Sequence, residues 1–235
     1  MRFHLLLSAL CLFTSVVFAQ TNQQSSGWLF LMNNTKINDK WGVYFDAQFR
    51  SQDKWDGIRN VLLRPGLTYF VNGSADVTLG YLYTNTFTRL IGAADNTLTE
   101  HRVWEQFIYR HKIGRVNFSH RLRLEQRFME RYGAGDLFAQ RFRYFIRGLL
   151  PLTGAEGQSF EKGVFAALQN EIFLNVQHKS ELNGHVFDQN RAYGAIGYRF
   201  GKQLDVEAGY MNQALKGLSD NTVNNIVQLA VYTRF

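Results

Sequence analysis

The sequence is poor in the residues that stabilise or interrupt most small exported domains. Among its 235 residues there is one cysteine, Cys11, and two prolines, Pro65 and Pro151. A single cysteine excludes an internal disulfide, so the fold must be stabilised by other means. The scarcity of proline, together with an aromatic content of 15%, favours β-strands over disordered polar segments. No long apolar run follows Phe18, so we expect no transmembrane helix beyond that residue.

The first residues have the composition of an export signal. Arg2 provides the positive charge, an apolar run extends from Leu5 to Phe18, and Ala19 precedes the expected cleavage site. The run is shorter than the ~20 residues that a membrane-spanning helix needs, which argues against the alternative of an N-terminal anchor. We therefore predict a signal peptide at residues 1–19, removed on export, and one mature domain at residues 20–235.

The mature sequence is basic. Arg2 is the only charged residue before position 20, so 25 of the 26 basic residues remain with all 19 acidic ones, a net charge of +6. A nucleic-acid-binding surface would need basic residues clustered with base-stacking aromatics. The arginines here alternate with apolar residues instead, so we expect no nucleic-acid partner and place the charge in loops and in an aqueous interior.

The clearest pattern lies in the stretch from Asn117 to Phe128, where apolar and charged residues alternate. Successive side chains of a strand point to opposite faces, so a period of two indicates a strand with one apolar and one charged face. The apolar face holds Leu122, Leu124 and Phe128. The charged face holds Arg121, Arg123, Glu125 and Arg127. In a soluble sheet the apolar face would meet a core, whereas in a transmembrane barrel it would meet lipid.

Ten further segments are predicted to be strands. Gly27–Asn33 is continuously apolar, and in His101–Arg110 the acidic Glu105 shares its parity with apolar residues. The other segments alternate more cleanly. They are Trp41–Arg50, Val61–Val71, Val77–Tyr83, Phe138–Leu150, Val164–Val176, Phe187–Phe200, Leu204–Gln213 and Val227–Phe235.

Together these features predict an all-β fold, a transmembrane antiparallel up-and-down β-barrel of ten to twelve strands in the outer membrane of a Gram-negative bacterium. A soluble β-sandwich is the alternative. The terminal Phe235 after an alternating strand is typical of the signal that the barrel-assembly machinery recognises, although Thr233 departs from that signal. We expect outer-membrane lipid around the wall and the assembly machinery as a partner of the last strand.

The strand count and the connections are predicted from two further observations. Bacterial single-chain barrels have an even number of strands, so Gly27–Asn33 is expected to be either an inner tether or the partner of a further strand. Short and long connections alternate, as in outer-membrane barrels. Arg131 to Leu137 is expected to be a long connection that contains glycine.

Several motifs of the chain resemble those of an exported bacterial family called domain of unknown function 2490. The resemblance covers nearly all of the mature chain, and its motifs are W-L-F-L-M-N-N, D-K-W-G-V-Y, R-P-G-L-T-Y-F, L-G-Y, E-H-R, H-R-L-R-L-E-Q-R-F, R-F-R-Y, N-E-I-F-L-N, F-D-Q-N-R-A-Y and A-G-Y-M-N-Q. The resemblance implies an outer-membrane β-barrel. It implies no particular reaction, because no activity is established for the family.

Hairpin register predicts ion pairs inside the barrel. With a connection centred near residue 134, the numbers of two facing residues should add up to about 268. This places Glu125 opposite Arg143, Arg127 opposite Arg141 and Arg121 opposite Arg147, and the next loop places Glu171 opposite Arg191. Alternatively, these arginines simply line water. The predicted lumenal charge network is Arg121, Arg123, Glu125, Arg127, Arg141, Arg143, Arg147, Glu171, Arg191 and Glu207.

No set of residues predicts catalysis, a cofactor or a bound metal. His178 and His185 flank a loop that contains Glu181, but such a pair is more often solvated than bound to metal. Ser119 and His120 could suggest a lipid hydrolase or deacylase, which is the alternative function. Adjacent residues on a strand point in opposite directions, however, so these two cannot easily share a proton. We therefore favour a non-enzymatic barrel with a structural role or a narrow channel.

Overall fold

The computed structural model describes residues 21–88, 96–154 and 159–235, and the predicted signal peptide lies outside these ranges. A short 3-10 helix at Asp53–Trp55 and one α-helical turn at Lys179–Leu182 accompany eleven β-strands. Each predicted segment falls on a different strand, and most strands are longer than predicted. The strands β1 to β11 are Thr21–Lys36, Trp41–Ser51, Ile58–Phe70, Ala75–Thr88, Asn96–Ile113, Val116–Arg131, Ala134–Pro151, Gly163–Asn175, Phe187–Gly201, Leu204–Leu215 and Asn221–Arg234.

The strands form a closed barrel in chain order. Consecutive strands pair antiparallel, whereas β1 pairs in parallel with β11, from Thr21 opposite Asn221 to Asn34 opposite Arg234. An odd number of alternating strands closes only with one such parallel pair. Both sequence-based alternatives for Gly27–Asn33 are therefore wrong, since this segment is part of a wall strand whose two edges pair with β2 and β11.

The two ends of the barrel are defined here by their connections. The turn rim carries the described residues 37–40, 71–74, 114–115, 152–154, 159–162 and 202–203 together with Phe235, and the loop rim carries residues 52–57, 132–133, 176–186 and 216–220. The long connection expected from Arg131 to Leu137 is wrong, because β7 already begins at Ala134. Gly133 adopts a left-handed backbone with φ 66°, which permits a tight two-residue turn.

The alternation of the sequence separates an apolar outer wall from a polar interior. Leu67, Leu168 and Ile196 point outward and are 50%, 72% and 58% exposed, whereas Arg123 and Glu125 point inward and are 1% and 0% exposed. Exposed apolar side chains surround the wall, which is the arrangement of a barrel that faces lipid. Among the described residues, no helix has the length and apolar character needed to cross a membrane.

One sector of the interior is filled by aromatic and aliphatic side chains. Trp104 is completely buried and packs edge-on against Tyr44, with ring centroids 5.6 Å apart, beside Leu62 and Leu82. Gly80 leaves space for this ring, because a Cβ atom there would overlap it. The packed sector fills part of the lumen and confines the charged groups to the remainder.

Candidate lumenal site

The centre of the barrel contains a network of charged side chains, which we call the waist lattice. Its basic members are Arg50, Arg64, Arg102, Arg121, Arg123, Arg127, Arg141, Arg143 and Arg191. Its acidic members are Asp46, Glu100, Glu125, Glu171 and Asp188. They are contributed by β2, β3 and β5 to β9, so the lattice links strands that are not neighbours in the wall.

Glu125 is a fully buried acid near the centre of the β6 strand. Its carboxylate is 2.7 Å from Arg141 Nη2, 2.5 Å from Arg143 Nη1 and 3.6 Å from Arg102 Nη1. A buried carboxylate of this kind is tolerated only because several charge-assisted hydrogen bonds replace its hydration. Arg141 extends the network by a second contact, 2.9 Å from Asp188 Oδ2.

Glu171 joins β8 to the two preceding strands. Its Oε1 atom accepts hydrogen bonds from Arg121 Nη2 and from Arg143 Nη2, each at 2.7 Å. Arg143 therefore bridges Glu171 and Glu125, and its guanidinium also lies 4.3 Å from the centroid of the Phe173 ring. Two acids and their arginines thus form one connected unit across the lumen.

Smaller groups of charges surround this unit. Glu100 lies 2.6 Å from both Arg102 Nε and Arg127 Nε. Asp46 lies 2.7 Å from Arg64 Nη1 and also accepts a hydrogen bond of 2.5 Å from the Tyr44 hydroxyl. Each of these two acids therefore has at least two hydrogen-bond donors.

A further pair lies on the side of the lattice toward the turn rim. Arg147 Nη2 lies 2.5 Å from Glu207 Oε2, and the Tyr232 hydroxyl donates to Glu207 Oε1 at 2.8 Å. Beyond it, Arg199 and Arg234 both bind Asp205. Charged pairs therefore continue from the waist to the rim.

The register differs by two residues from the prediction for β6 and β7. Glu125 faces Arg141 instead of Arg143, and Arg127 faces Ala139 instead of Arg141. Arg147 faces Ser119 instead of Arg121. The tight turn at 132–133 and a register shift between Met129 and Arg131 explain the difference. The predicted placement of Glu171 opposite Arg191 is confirmed.

Three arginines of the lattice form no salt bridge within the described residues. Arg123 is 1% exposed and donates two hydrogen bonds to Gln106 Oε1 while its guanidinium lies 4.5 Å from the Trp104 ring centroid. Arg50 and Arg191 likewise bond only to glutamine oxygens. Because neutral amides do not neutralise guanidinium groups, these three side chains leave the lattice with a positive excess.

The excess can be counted directly. Nine arginines and five carboxylates make up the lattice, so its formal charge is +4. Buried charge without a partner is unfavourable, and it must be balanced by water or by anions in the remaining space. The waist lattice therefore carries a net positive formal charge inside the barrel.

Two cavities adjoin the lattice. The larger, of about 1090 Å³, extends to the turn rim, where Lys40 and Phe235 line it, and the smaller, of about 480 Å³, extends to the loop rim at Lys216. Eleven basic and four acidic residues line the larger cavity, and nine basic and one acidic residue line the smaller. Trp28, Arg64, Arg143 and Arg191 line both cavities and so mark the narrow waist between them.

Several lattice members were not included in the network predicted from the sequence. Asp46, Arg50, Arg64 and Arg102 are polar residues at alternating positions of their strands, so parity could have identified them. Glu100 shares the parity of Arg102 but lies one residue before the predicted segment, whereas Asp188 has the opposite parity to the inward-facing Gln189 and Arg191. Side chains that meet across the lumen cannot be matched by hairpin register, because their strands are not neighbours.

The residues considered for catalysis do not come together. Ser119 lines the larger cavity, whereas the His120 ring lies on the outer wall with its Nδ1 2.9 Å from the Tyr144 hydroxyl. His178 Nδ1 lies 2.6 Å from the carbonyl oxygen of Phe138, and Glu181 forms a salt bridge with Arg131. The described residues contain no group of three histidine, cysteine or acidic side chains arranged to hold a metal.

Glu105 is a charged residue of the outer wall that has apolar neighbours. Glu105 is exposed near the middle of β5, opposite Leu79 on β4 and Leu124 on β6. Gln126 Nε2 donates to its Oε2 at 3.1 Å. The ambiguous parity of His101–Arg110 is thus resolved, with Glu105 on the outer face.

Comparisons with known proteins give a family and one similar structure. The family model described as "Protein of unknown function (DUF2490)" matches residues 25–224. No curated protein matches the sequence. Among solved structures, LpxR from Salmonella typhimurium is similar, with 11% identity over 83% of this chain and 84% of that chain, and a TM-score of 0.42.

Proposed function

This chain belongs to the DUF2490 family of proteins of unknown function, and we propose that it is an outer-membrane β-barrel whose lumen is a narrow, anion-selective passage. The two cavities that meet at an arginine-rich waist carry this proposal. Fixed positive charge in a confined lumen raises the local concentration of anions and repels cations. The salt bridges across the waist leave too little space for a general pore.

The proposed location rests on the sequence and the wall together. The N-terminal residues have the composition of an export signal, and a closed strand wall with an apolar outside satisfies the backbone in lipid. We propose outer-membrane lipid as the surrounding partner and the barrel-assembly machinery as the partner of the strand that ends at Phe235. After cell fractionation the mature protein should be recovered with the outer membrane and should migrate differently on gels before and after heating. Recovery as a soluble periplasmic protein would contradict this location.

The passage can be tested by conductance in planar bilayers. Under a potassium chloride gradient, the purified barrel should give small single-channel currents whose reversal potential shifts toward that of chloride. Glu171→Arg adds positive charge beside the waist and should increase this shift. A cation-selective current, a large unselective current or the absence of current would each reject the passage.

A non-enzymatic role is part of the proposal, and the alternative of a membrane-embedded lipid hydrolase has a direct test. Ser119→Ala and His120→Ala remove the hydroxyl and the imidazole considered for that chemistry. Lipid cleavage by the parent that both variants lose would support the hydrolase. The proposal expects no cleavage that depends on either residue, because the two side chains lie on opposite faces of the wall.

A further inference from the structure

Two arginines of the waist lattice share one aromatic ring. The guanidinium carbon of Arg50 lies 4.0 Å from the centroid of Trp28, and that of Arg191 lies 5.1 Å from it. The two guanidinium carbons are therefore at most about 9 Å apart. All three side chains line the smaller cavity, so one small ligand in that cavity can reach both positive charges.

Both arginines retain hydrogen-bond donors that no acceptor of the described chain uses. Arg191 donates from Nε to Gln189 Oε1 at 3.2 Å, and Arg50 donates from Nη2 to Gln48 Oε1 at 2.5 Å. The two Nη groups of Arg191 and the Nη1 group of Arg50 form no hydrogen bond within that part of the chain. The contacts with amides and with an aromatic ring hold these guanidinium groups in a fixed orientation.

The positive charge around the smaller cavity selects the kind of ligand. Asp188 is its only acidic lining residue among those described, against nine basic ones. Lys216 at the loop rim and Arg191 at the waist lie at opposite ends of this lining, so an anion is attracted along the whole cavity. A doubly charged oxyanion offers several acceptor oxygens to guanidinium groups, which a chloride ion cannot do.

We infer that Arg50 and Arg191 bind the phosphate group of a small phosphorylated solute that enters from the loop rim. This inference rests on the proposed passage and names a ligand class for it. The smaller cavity, of about 480 Å³, is within the range of ordinary small-molecule sites. It therefore has room for an organic part beside the phosphate.

The binding can be measured without any current. The full mature barrel, folded in detergent micelles, is titrated calorimetrically with inorganic pyrophosphate and with inorganic phosphate in chloride buffer. Arg50→Gln and Arg191→Gln should each weaken binding by about tenfold or more, because each removes a hydrogen bond to a charged ligand. Arg115→Gln makes the same charge change at the turn rim and should change the affinity by less than about twofold.

A further variant avoids removal of a lattice side chain. Gln189→Glu keeps an oxygen that can accept from Arg191 Nε and from Gln213 Nε2, and it adds a negative charge beside Arg191. It gives up only the long bond of 3.5 Å from Gln189 Nε2 to Asp188 Oδ2. This variant should fold like the parent, judged by heat-modified migration, and should bind pyrophosphate about tenfold more weakly or worse. Unchanged affinity in Gln189→Glu and in both glutamine variants would overturn the site.

The source of the phosphate can be separated in the same experiment. Short-chain phosphatidic acid supplies a phosphate on a lipid, whereas pyrophosphate is a free solute. Binding of phosphatidic acid but of neither inorganic anion would overturn the assignment to a solute. An anion-selective current without pyrophosphate binding would reject this site and leave the proposed passage in place. Pyrophosphate binding without current would reject the passage and leave the binding site in place.

Discussion

Glu171 on β8 lies directly opposite Arg191 on β9, yet its carboxylate binds Arg121 and Arg143 at 2.7 Å each. No salt bridge joins Glu171 to Arg191 within the described residues. Arg121 belongs to β6, so its side chain reaches across the position of β7 to meet the acid. Backbone register therefore fixes which residues are neighbours, and side-chain length and the competition among arginines decide which of them form ion pairs.

The first prediction follows from this choice of partners. Glu171→Gln should lower the free energy of unfolding by about 3 kcal/mol, because it removes the charged partner of two arginines. This value is at the lower end of the range for a broken buried ion pair, since the adjoining cavity supplies some hydration. The double change Glu171→Arg with Arg191→Glu should not recover this loss, since the new acid at 191 replaces neither contact. Both free energies of unfolding are measured by titration with guanidinium chloride in phospholipid vesicles. Substantial recovery in the double variant would show that Glu171 and Arg191 interact directly.

The second prediction concerns Glu125, which has three arginine partners. Glu125→Gln should lower the free energy of unfolding by about 3–5 kcal/mol relative to the parent, because Arg141, Arg143 and Arg102 all lose a charged acceptor. This loss should be larger than that in Glu171→Gln. Glu161→Gln is a matched control, since it removes the same charge from an exposed side chain at the turn rim and should have little effect. Equal unfolding curves for the two variants would mean that the lattice contributes little to stability.

The sequence contained most of the fold and only part of the site. Alternation with a period of two identified most of the eleven strands, because the contrast between an apolar outer wall and a polar lumen imposes that period. Gly27–Asn33 was recognised by its continuous apolar run instead. It did not reveal the parallel pairing of β1 with β11, since the sequence pattern of a wall strand is the same for either direction of its neighbour. Gly133 allowed a tighter turn than expected and moved Arg141 opposite Glu125. Contacts such as Arg121 with Glu171 depend on side chains that cross the lumen, which no local pattern records.

The third prediction tests the assignment of faces on β6. Leu124→Arg should destabilise the barrel by roughly 2–4 kcal/mol in a bilayer, because it places a cation on the outer wall near mid-depth. Ser119→Arg should be milder, since Ser119 lines the larger cavity and a charge there stays hydrated. The comparison uses unfolding titrations in vesicles. Equal losses would show that the two residues do not differ in their exposure to lipid.

The last prediction concerns Glu105, the acid on the outer wall. Near the middle of β5 its carboxylate has Gln126 as a partner and apolar residues such as Leu79 and Leu124 opposite it. A charged group facing hydrocarbon is unfavourable, although less so for an acid than for arginine or lysine. Glu105→Leu should therefore stabilise the barrel in vesicles by about 1 kcal/mol.

The amide of Gln126 limits the stabilisation that Glu105→Leu can give. In Glu105→Leu the Gln126 side chain loses its acceptor, and its Oε1 is already buried without a partner. The double variant Glu105→Leu with Gln126→Leu should therefore be more stable than either single variant, because no unsatisfied amide remains in the wall. Both effects are read from unfolding titrations at the same lipid composition. If both Glu105→Leu and the double variant instead destabilise the barrel in vesicles, the carboxylate has a favourable partner outside this chain, and the wall at mid-depth is a contact surface and not a lipid face.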